Sequence, residues 1–337
     1  MEKRREFLKY LTGITAGMLL PVGSMTGNDK IVNRDKHGEI LPMRRLGNTG
    51  CNITMLGLGG YHVGWTTERD AQEVIETAIE GGIRFFDNAE SYGPHTGEIR
   101  YGKYLTPTYR DEIFLMSKTF TQSSKKAQEH LHDSLKRLKT DYLNLWQVHS
   151  LQGPADVDKR VQDGFLELFS KMKSEGKVKH IGFTGHADPD AHLRMLEQTE
   201  DNPIFETIQM PVNAVDISSS SSFIKKVFPK AIERDMGILA MKSLADGRFF
   251  AKKIQENQQV WETNDPVIGR ISIKEALYFT WSLPVSTLIT GAENRKYLQE
   301  KIDFAKSFQR LTESEKSTII DKVIDLADMG VEYYKRG

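Results

Sequence analysis

The sequence predicts an α/β protein that folds as a single (β/α)8 TIM barrel. Three observations predict this fold: short apolar runs recur along the chain, amphipathic segments separate them, and the runs number eight. Strands that alternate with helices pair in parallel, because each helix carries the chain back to the start of the next strand. Eight parallel strands close a barrel, and 337 residues are enough for one such domain.

The predicted strands are apolar runs rich in branched and aromatic side chains, which favour extended backbone. They span residues 55–59, 83–87, 112–118, 142–149, 178–183, 207–210, 237–242 and 285–291. Amphipathic periodicity predicts helices over 69–80, 125–138, 163–174 and 273–281. The first of these helices follows Thr66-Thr67, a pair suited to N-capping, and stops at Gly81-Gly82.

A doubly wound open sheet is the alternative fold. Its dinucleotide-binding form requires G-x-G-x-x-G at the start of the first helix. The segment that begins at Gly57 reads GLGGYH and lacks the third glycine. The barrel is therefore the better prediction.

Composition excludes a pervasive basic surface. The chain has 46 Lys and Arg against 46 Asp and Glu, a formal net charge of zero. Nucleic acid is therefore not expected as a partner.

The N-terminus is typical of an export signal. Basic residues with a pair of arginines, KRREFLK from Lys3 to Lys9, precede a short apolar run, an order that resembles the twin-arginine signal. We expect a signal peptide at 1–24, a linker at 25–42 and the barrel at 43–337. The run is too short to span a bilayer, so no stable membrane anchor is expected. The expected partner is the twin-arginine export machinery and the expected location the periplasm, or the cytoplasm if the signal is not used.

Polar residues stand where predicted strands end. Asp87 and Lys118 end two strands, His149 ends the next, and Tyr92 follows Asp87 in a loop. The C-terminal ends of barrel strands converge on one mouth, where chemistry takes place. We expect the Lys118 cation to lower the pKa of Tyr92, with Asp87 keeping the lysine charged. His149 would orient a carbonyl whose oxygen Tyr92 protonates as hydride reaches the carbon.

The sequence resembles the aldo-keto reductase superfamily over residues 43–323. The resemblance is carried by RLGNTG from Arg45, LGLGG from Leu56, GIRFFDNAESYG from Gly82, MSKT from Met116, SLKRLKTDY from Ser134 and GKVKHIG from Gly176. It implies a catalytic tetrad of Tyr92, Lys118, Asp87 and His149. It also implies an extended nicotinamide dinucleotide across the barrel mouth. The positions that match the family's cofactor-binding residues are Gly60, Tyr61, Thr184, Gln209, Met241, Lys242, Ser243, Leu244, Gly291, Asn294, Arg295 and Tyr297.

Two departures from the family pattern affect the cofactor. Thr184-Gly185-His186 stands where many members carry Ser-Asn, and Met241 stands where many carry an aromatic ring. Arg295 and Lys296 are cations that could bind a 2′-phosphate. The expected cofactor is therefore NADP(H), with NAD(H) as the alternative.

The resemblance implies an NADPH-dependent reductase of an aldehyde or ketone, with a small-molecule carbonyl compound as substrate. The alternative is a cofactor-binding sensor or accessory subunit with little turnover, and the complete tetrad favours the enzyme.

His186, Asp188, Asp190 and His192 are metal-ligand residue types, but Asp-Pro-Asp indicates a turn and helix cap, so no metal is expected. We expect residues 246–270 to cover the mouth and Tyr333 and Tyr334 to shape the substrate site.

Overall fold

The computed structural model describes residues 33–247, 252–255, 258–262 and 270–335. The predicted signal peptide, the predicted linker up to residue 32 and most of the segment 246–270 lie outside these ranges. Within the last segment, Lys252–Gln255 pairs antiparallel with Gln258–Glu262. Among the described residues, no helix is long and apolar enough to cross a membrane.

Eight parallel strands close into a barrel, as the sequence predicts. Each strand pairs with the next along the chain, and the last pairs with the first. They are β1 (Leu56–Gly59), β2 (Phe85–Asp87), β3 (Phe114–Thr119), β4 (Leu143–Val148), β5 (Val178–Thr184), β6 (Thr207–Pro211), β7 (Gly237–Met241) and β8 (Thr287–Thr290).

Helices surround the strands and bury their apolar faces against them. Thr67 caps one of them as predicted, since its side chain accepts a hydrogen bond from the Asp70 backbone N–H at 3.1 Å. The helices are Gly60–Trp65, Glu68–Glu80, Thr96–Tyr104, Thr106–Tyr109, Ser124–Arg137, Pro154–Gln162, Phe165–Ser174, Pro189–Gln198, Phe223–Lys226, Phe228–Glu233, Ile273–Trp281, Arg295–Lys306 and Glu313–Asp321.

A hairpin closes the N-terminal end of the barrel. Met43–Arg45 pairs with Asn52–Thr54, and Leu46 and Ile53 from this hairpin are buried in the barrel interior. They pack in one cluster with Phe85 from β2 and with other inward-facing strand residues. The barrel is thus filled from this end, and its C-terminal end remains available for a site.

A second hairpin lies within the predicted linker. Arg34–Asp35 pairs with Gly38–Glu39, and the Asp35 carboxylate accepts two hydrogen bonds from Arg84, at 2.6 and 2.9 Å. Leu41 is buried. Residues 33–42 therefore pack on the barrel instead of linking to it, because Arg84, which precedes β2, supplies a partner that local sequence does not reveal.

Replacing Asp35 by Ala should lower the free energy of unfolding by about 2–3 kcal/mol, because Arg84 is buried and keeps only carbonyl partners. The hydrogen bonds from Arg84 lower the pKa of Asp35 to about 2 from 3.8. The contribution of Asp35 is therefore complete above pH 3.8 and is lost as the pH falls toward 2. Urea unfolding at several pH values measures both effects.

Arg45→Ala is the matched control, since Arg45 forms a half-exposed ion pair with Asp235 beside the same end of the barrel. It should cost less than about 1 kcal/mol. Equal losses in the two variants would contradict the importance of the Asp35–Arg84 contact.

Candidate active site

The polar residues predicted at the strand ends meet at the C-terminal end of the barrel. Lys118, near the end of β3, is 1% exposed, and Asp87, which ends β2, is 2% exposed. The Lys118 ammonium donates to the Asp87 carboxylate and, at 2.8 Å, to the backbone carbonyl of Asn88. It also donates to the Tyr92 hydroxyl oxygen at 3.3 Å. The two ends of neighbouring strands thereby place a cation, an anion and a phenol in contact.

His149 completes the group from the end of β4. Its ring centroid lies 5.8 Å from that of Tyr92, in an edge-to-face arrangement. Its backbone N–H donates to the Thr119 carbonyl at 2.9 Å, which fixes the residue beside β3. Burial, followed by the Lys118 charge, holds the pKa of His149 well below its ordinary value. The imidazole is therefore neutral at neutral pH.

Burial acts on both members of the Lys118–Asp87 pair. It raises the pKa of the Asp87 carboxyl and lowers the pKa of the Lys118 ammonium, and the attraction between the two groups opposes both effects. Each charge is retained because the other one lies against it.

The net shift in the pKa of Tyr92 is opposite to the predicted lowering. Burial raises the pKa of Tyr92 well above its ordinary value, and the nearby Asp87 carboxylate raises it further. Asp87 offsets the lysine charge that would otherwise favour phenolate. Tyr92 is therefore a neutral phenol, the form that can give a proton away.

An open cavity of about 620 Å³ lies above these residues. Its walls come from loops at the C-terminal ends of most strands and from the C-terminal tail. Its lining includes the following predicted residues: Tyr61, Asp87, Tyr92, His149, Thr184, Gln209, Met241, Lys242, Gly291, Tyr333 and Tyr334.

Two buried polar atoms near the mouth fit a polar ligand. Gln209 Oε1 and Ser243 Oγ are buried and have no hydrogen-bond partner among the described residues. The Gln209 amide nitrogen meets the Met241 sulfur at 3.7 Å. An unsatisfied buried acceptor is costly, so a ligand amide that donates to Gln209 would remove that cost.

Other predicted cofactor residues lie away from the cavity lining. A side chain at Gly60 would come within 2.8 Å of the Asn88 side chain, so this glycine permits close packing beneath the mouth. Ser243 and Leu244 directly follow the lining residues Met241 and Lys242 but are not among the lining residues themselves. Asn294 caps the helix Arg295–Lys306 by accepting from the Tyr297 N–H at 3.1 Å, and both Arg295 and Tyr297 are exposed.

The residues weighed as metal ligands have other roles. Asp188 caps the helix Pro189–Gln198, as predicted, and Asp190 pairs with Lys226 at 2.9 Å. His192 is buried and contacts the Gln209 carbonyl at 3.2 Å, and a side chain at Gly185 would come within 2.9 Å of His192. The Leu151 backbone oxygen is closer still, at 2.8 Å, so Leu151 and His192 together leave no space for the family's asparagine at Gly185. In the described ranges, no three His, Cys, Asp or Glu side chains cluster to hold a metal.

Sequence reasoning assigned no site role to several lining residues. These are Gly59, His62, Ser91, Phe120, Ser150, Gln152, His186, Ala187 and Ile289. Gly59 and Ile289 lie at the C-terminal ends of strands, Phe120 directly follows one, and the others lie in the segments that follow strands, so position was the available signal. The residue types themselves did not indicate a functional site.

The sequence matches the profile of the Aldo/keto reductase family over residues 55–324. It is 28% identical over 234 residues to an uncharacterized oxidoreductase of Bacillus subtilis, covering 63% of this chain and 69% of that protein. It is 26% identical over 219 residues to L-galactose dehydrogenase of Arabidopsis thaliana, covering 61% and 66%. These matches span about two thirds of the relatives' own length.

The fold is similar to that of solved aldo-keto reductases. One from Bacillus halodurans, in its holo form, superposes with a TM-score of 0.68 at 20% identity, covering 84% of this chain and 96% of that chain. At this identity the similarity concerns the fold.

Proposed function

We propose, on the premise that the chain belongs to the aldo/keto reductase family, that this oxidoreductase reduces an aldehyde or a ketone with a nicotinamide dinucleotide. The observation that carries the proposal is the contact between the Lys118 ammonium and the Tyr92 hydroxyl, at 3.3 Å, beneath an open cavity. A partly buried, neutral phenol beside a fixed cation is suited to protonating a carbonyl oxygen.

The cofactor proposed is NADP(H), with NAD(H) as the alternative. Gln209 and Thr184 would hold its carboxamide, and Met241 would pack against its ring. Bound reduced nicotinamide supplies the hydride. The remaining family positions would hold the rest of the dinucleotide: Gly60, Tyr61, Lys242, Ser243, Leu244, Gly291, Asn294, Arg295 and Tyr297. The support is the unpartnered Gln209 Oε1 and Ser243 Oγ together with family membership.

The proton moves from Tyr92 to the substrate oxygen. As negative charge develops on that oxygen, the Tyr92 O–H transfers its proton, and the Lys118 ammonium stabilises the phenolate that remains. Asp87 keeps Lys118 protonated and in place. His149, neutral, orients the carbonyl through a ring N–H. Hydride at carbon and a proton at oxygen give the alcohol.

Tyr92→Phe should reduce kcat by about 100-fold or more, because the proton donor is lost while the ring that packs against His149 remains. Dinucleotide affinity, measured by quenching of protein fluorescence, should be unchanged. Steady-state consumption of NADPH and NADH with a panel of aldehydes and ketones measures turnover. A loss of less than about tenfold would argue against Tyr92 as the acid.

Arg295→Ala should raise the Kd of NADPH about fivefold or more and leave the Kd of NADH unchanged, if Arg295 binds the 2′-phosphate. Arg295 is exposed and 3.6 Å from Glu80, a contact weak enough to exchange for a phosphate. Lys306→Ala, at the other end of the same helix, is the control. Equal effects on the two dinucleotides would count against a phosphate role for Arg295.

We propose further that the twin arginines direct export to the periplasm. The support is the order of the N-terminal sequence, KRREFLK before a short apolar run.

Substituting Arg4→Lys and Arg5→Lys together keeps the positive charge and removes the arginine pair. This variant should remain in the cytoplasm of a host with the twin-arginine machinery, whereas the unaltered chain and a Lys30→Arg control reach the periplasm. Cell fractionation with immunoblotting measures the distribution. Periplasmic protein from the double variant, or from a host without that machinery, would contradict this route.

A further inference from the structure

Glu90 connects two loops of the site. It lies between Asp87 and Tyr92 in sequence, and its side chain is 5% exposed. The Glu90 Oε1 accepts a hydrogen bond from the backbone N–H of Phe120 at 2.7 Å. Glu90 is not among the residues that line the cavity. Any effect of Glu90 on the reaction therefore passes through its neighbours.

Phe120 extends this connection to His149. The Phe120 ring lines the cavity and stands edge-to-face to the His149 ring, with centroids 6.0 Å apart. The preceding residue, Thr119, accepts the backbone N–H of His149 at 2.9 Å. Glu90 thus ties the loop that carries Tyr92 to the segment that borders His149.

One oxygen of the Glu90 carboxyl group lacks a hydrogen-bond partner among the described residues. Oε2 is buried and has no hydrogen-bond partner within the described part of the chain, whereas Oε1 meets Phe120 and, at 3.2 Å, His130 Nδ1. Ionising a carboxyl group whose buried oxygen has no hydrogen-bond donor costs more free energy than keeping the group protonated. Burial accordingly raises the pKa of Glu90 to about 7, against the lowering effect of the Phe120 N–H.

The charged groups that face Glu90 come from several elements, and those on β3 and the neighbouring helices already have partners. Lys118 is paired with Asp87, and Arg137 with Glu98 at 2.7 Å. Glu98 raises the pKa of Glu90 and Arg137 lowers it. The other titratable neighbours are Tyr92, whose pKa the Glu90 charge raises, and two histidines. His95 Nδ1 lies 2.6 Å from the Glu90 backbone carbonyl oxygen, and the pKa of His130 is lowered by burial.

We propose that Glu90 is a positioning residue, whose carboxyl fastens the Tyr92 loop to Phe120 and whose proton adjusts how firmly Phe120 is held beside the carbonyl substrate. A carboxylate accepts a hydrogen bond more strongly than the neutral acid does. Loss of the proton therefore tightens the Phe120 contact. The substrate effect rests on the proposed function, whereas the effect on Phe120 does not.

The test uses Glu90→Gln, which keeps the size and the acceptor oxygen but cannot ionise. The Phe120 amide resonance, followed by ¹H–¹⁵N TROSY NMR from about pH 5.5 to 8.5, should shift with a midpoint near 7 in the unaltered protein and stay constant in the variant. The carbonyl-substrate KM should fall about threefold over the same range in the unaltered protein, with little change in kcat. In Glu90→Gln the KM should stay at its low-pH value.

Glu206→Gln is the control, because Glu206 is a largely buried carboxylate that binds His180, at 2.9 Å, toward the other end of the barrel. It should leave both curves unchanged.

A Phe120 amide that does not titrate in the unaltered protein would overturn the proposal, whatever the variant does. Identical KM curves for the unaltered protein and Glu90→Gln would overturn the positioning role. If the unaltered protein reduces no carbonyl with either dinucleotide, the proposed function fails, and the amide titration still decides whether the Glu90 proton acts on Phe120.

Discussion

The buried contact between Lys118 and Asp87 is the interaction on which the open end of the barrel depends. Neither charge would be stable alone, since their side chains are 0% and 3% exposed. The parallel pairing of β2 and β3 brings the two residues together, and the same lysine reaches Tyr92. The carboxylate that retains the lysine charge also opposes ionisation of the phenol. One ion pair therefore holds a cation in place, and burial together with the carboxylate of that pair raises the pKa of Tyr92.

The sequence predicts most of the architecture because periodicity is a local property. Strand and helix patterns, together with the count of eight, are enough to infer the barrel. The strand-end rule then brings Asp87, Lys118 and His149 to one mouth. The pKa of Tyr92 could not be inferred in this way, since it depends on burial and on the balance between Lys118 and Asp87. Charge type and proximity alone suggested the opposite shift.

Contacts between distant residues are the other part that the sequence does not reveal. The hairpin at residues 34–39 depends on Arg84, 49 positions from Asp35. Gly185 departs from the family pattern because the Leu151 backbone and His192, from the following helix, fill the space beside it. Phe120 carries no residue-type signal for a site, yet it links Glu90 to His149. Such features follow from how loops and helices pack, which one-dimensional patterns do not encode.

The hairpin that packs on Arg84 also fixes the position of the first described residue, residue 33. Arg84 precedes β2, so this anchor lies at the floor of the barrel, on the side away from the cavity. A purification tag, a fluorescent reporter or a surface tether joined directly to residue 33, in place of the residues before it, would therefore be attached at the N-terminal end of the barrel. Immobilisation through that point would leave the mouth facing solution, so a tethered form of the protein should admit ligands as freely as the untethered one.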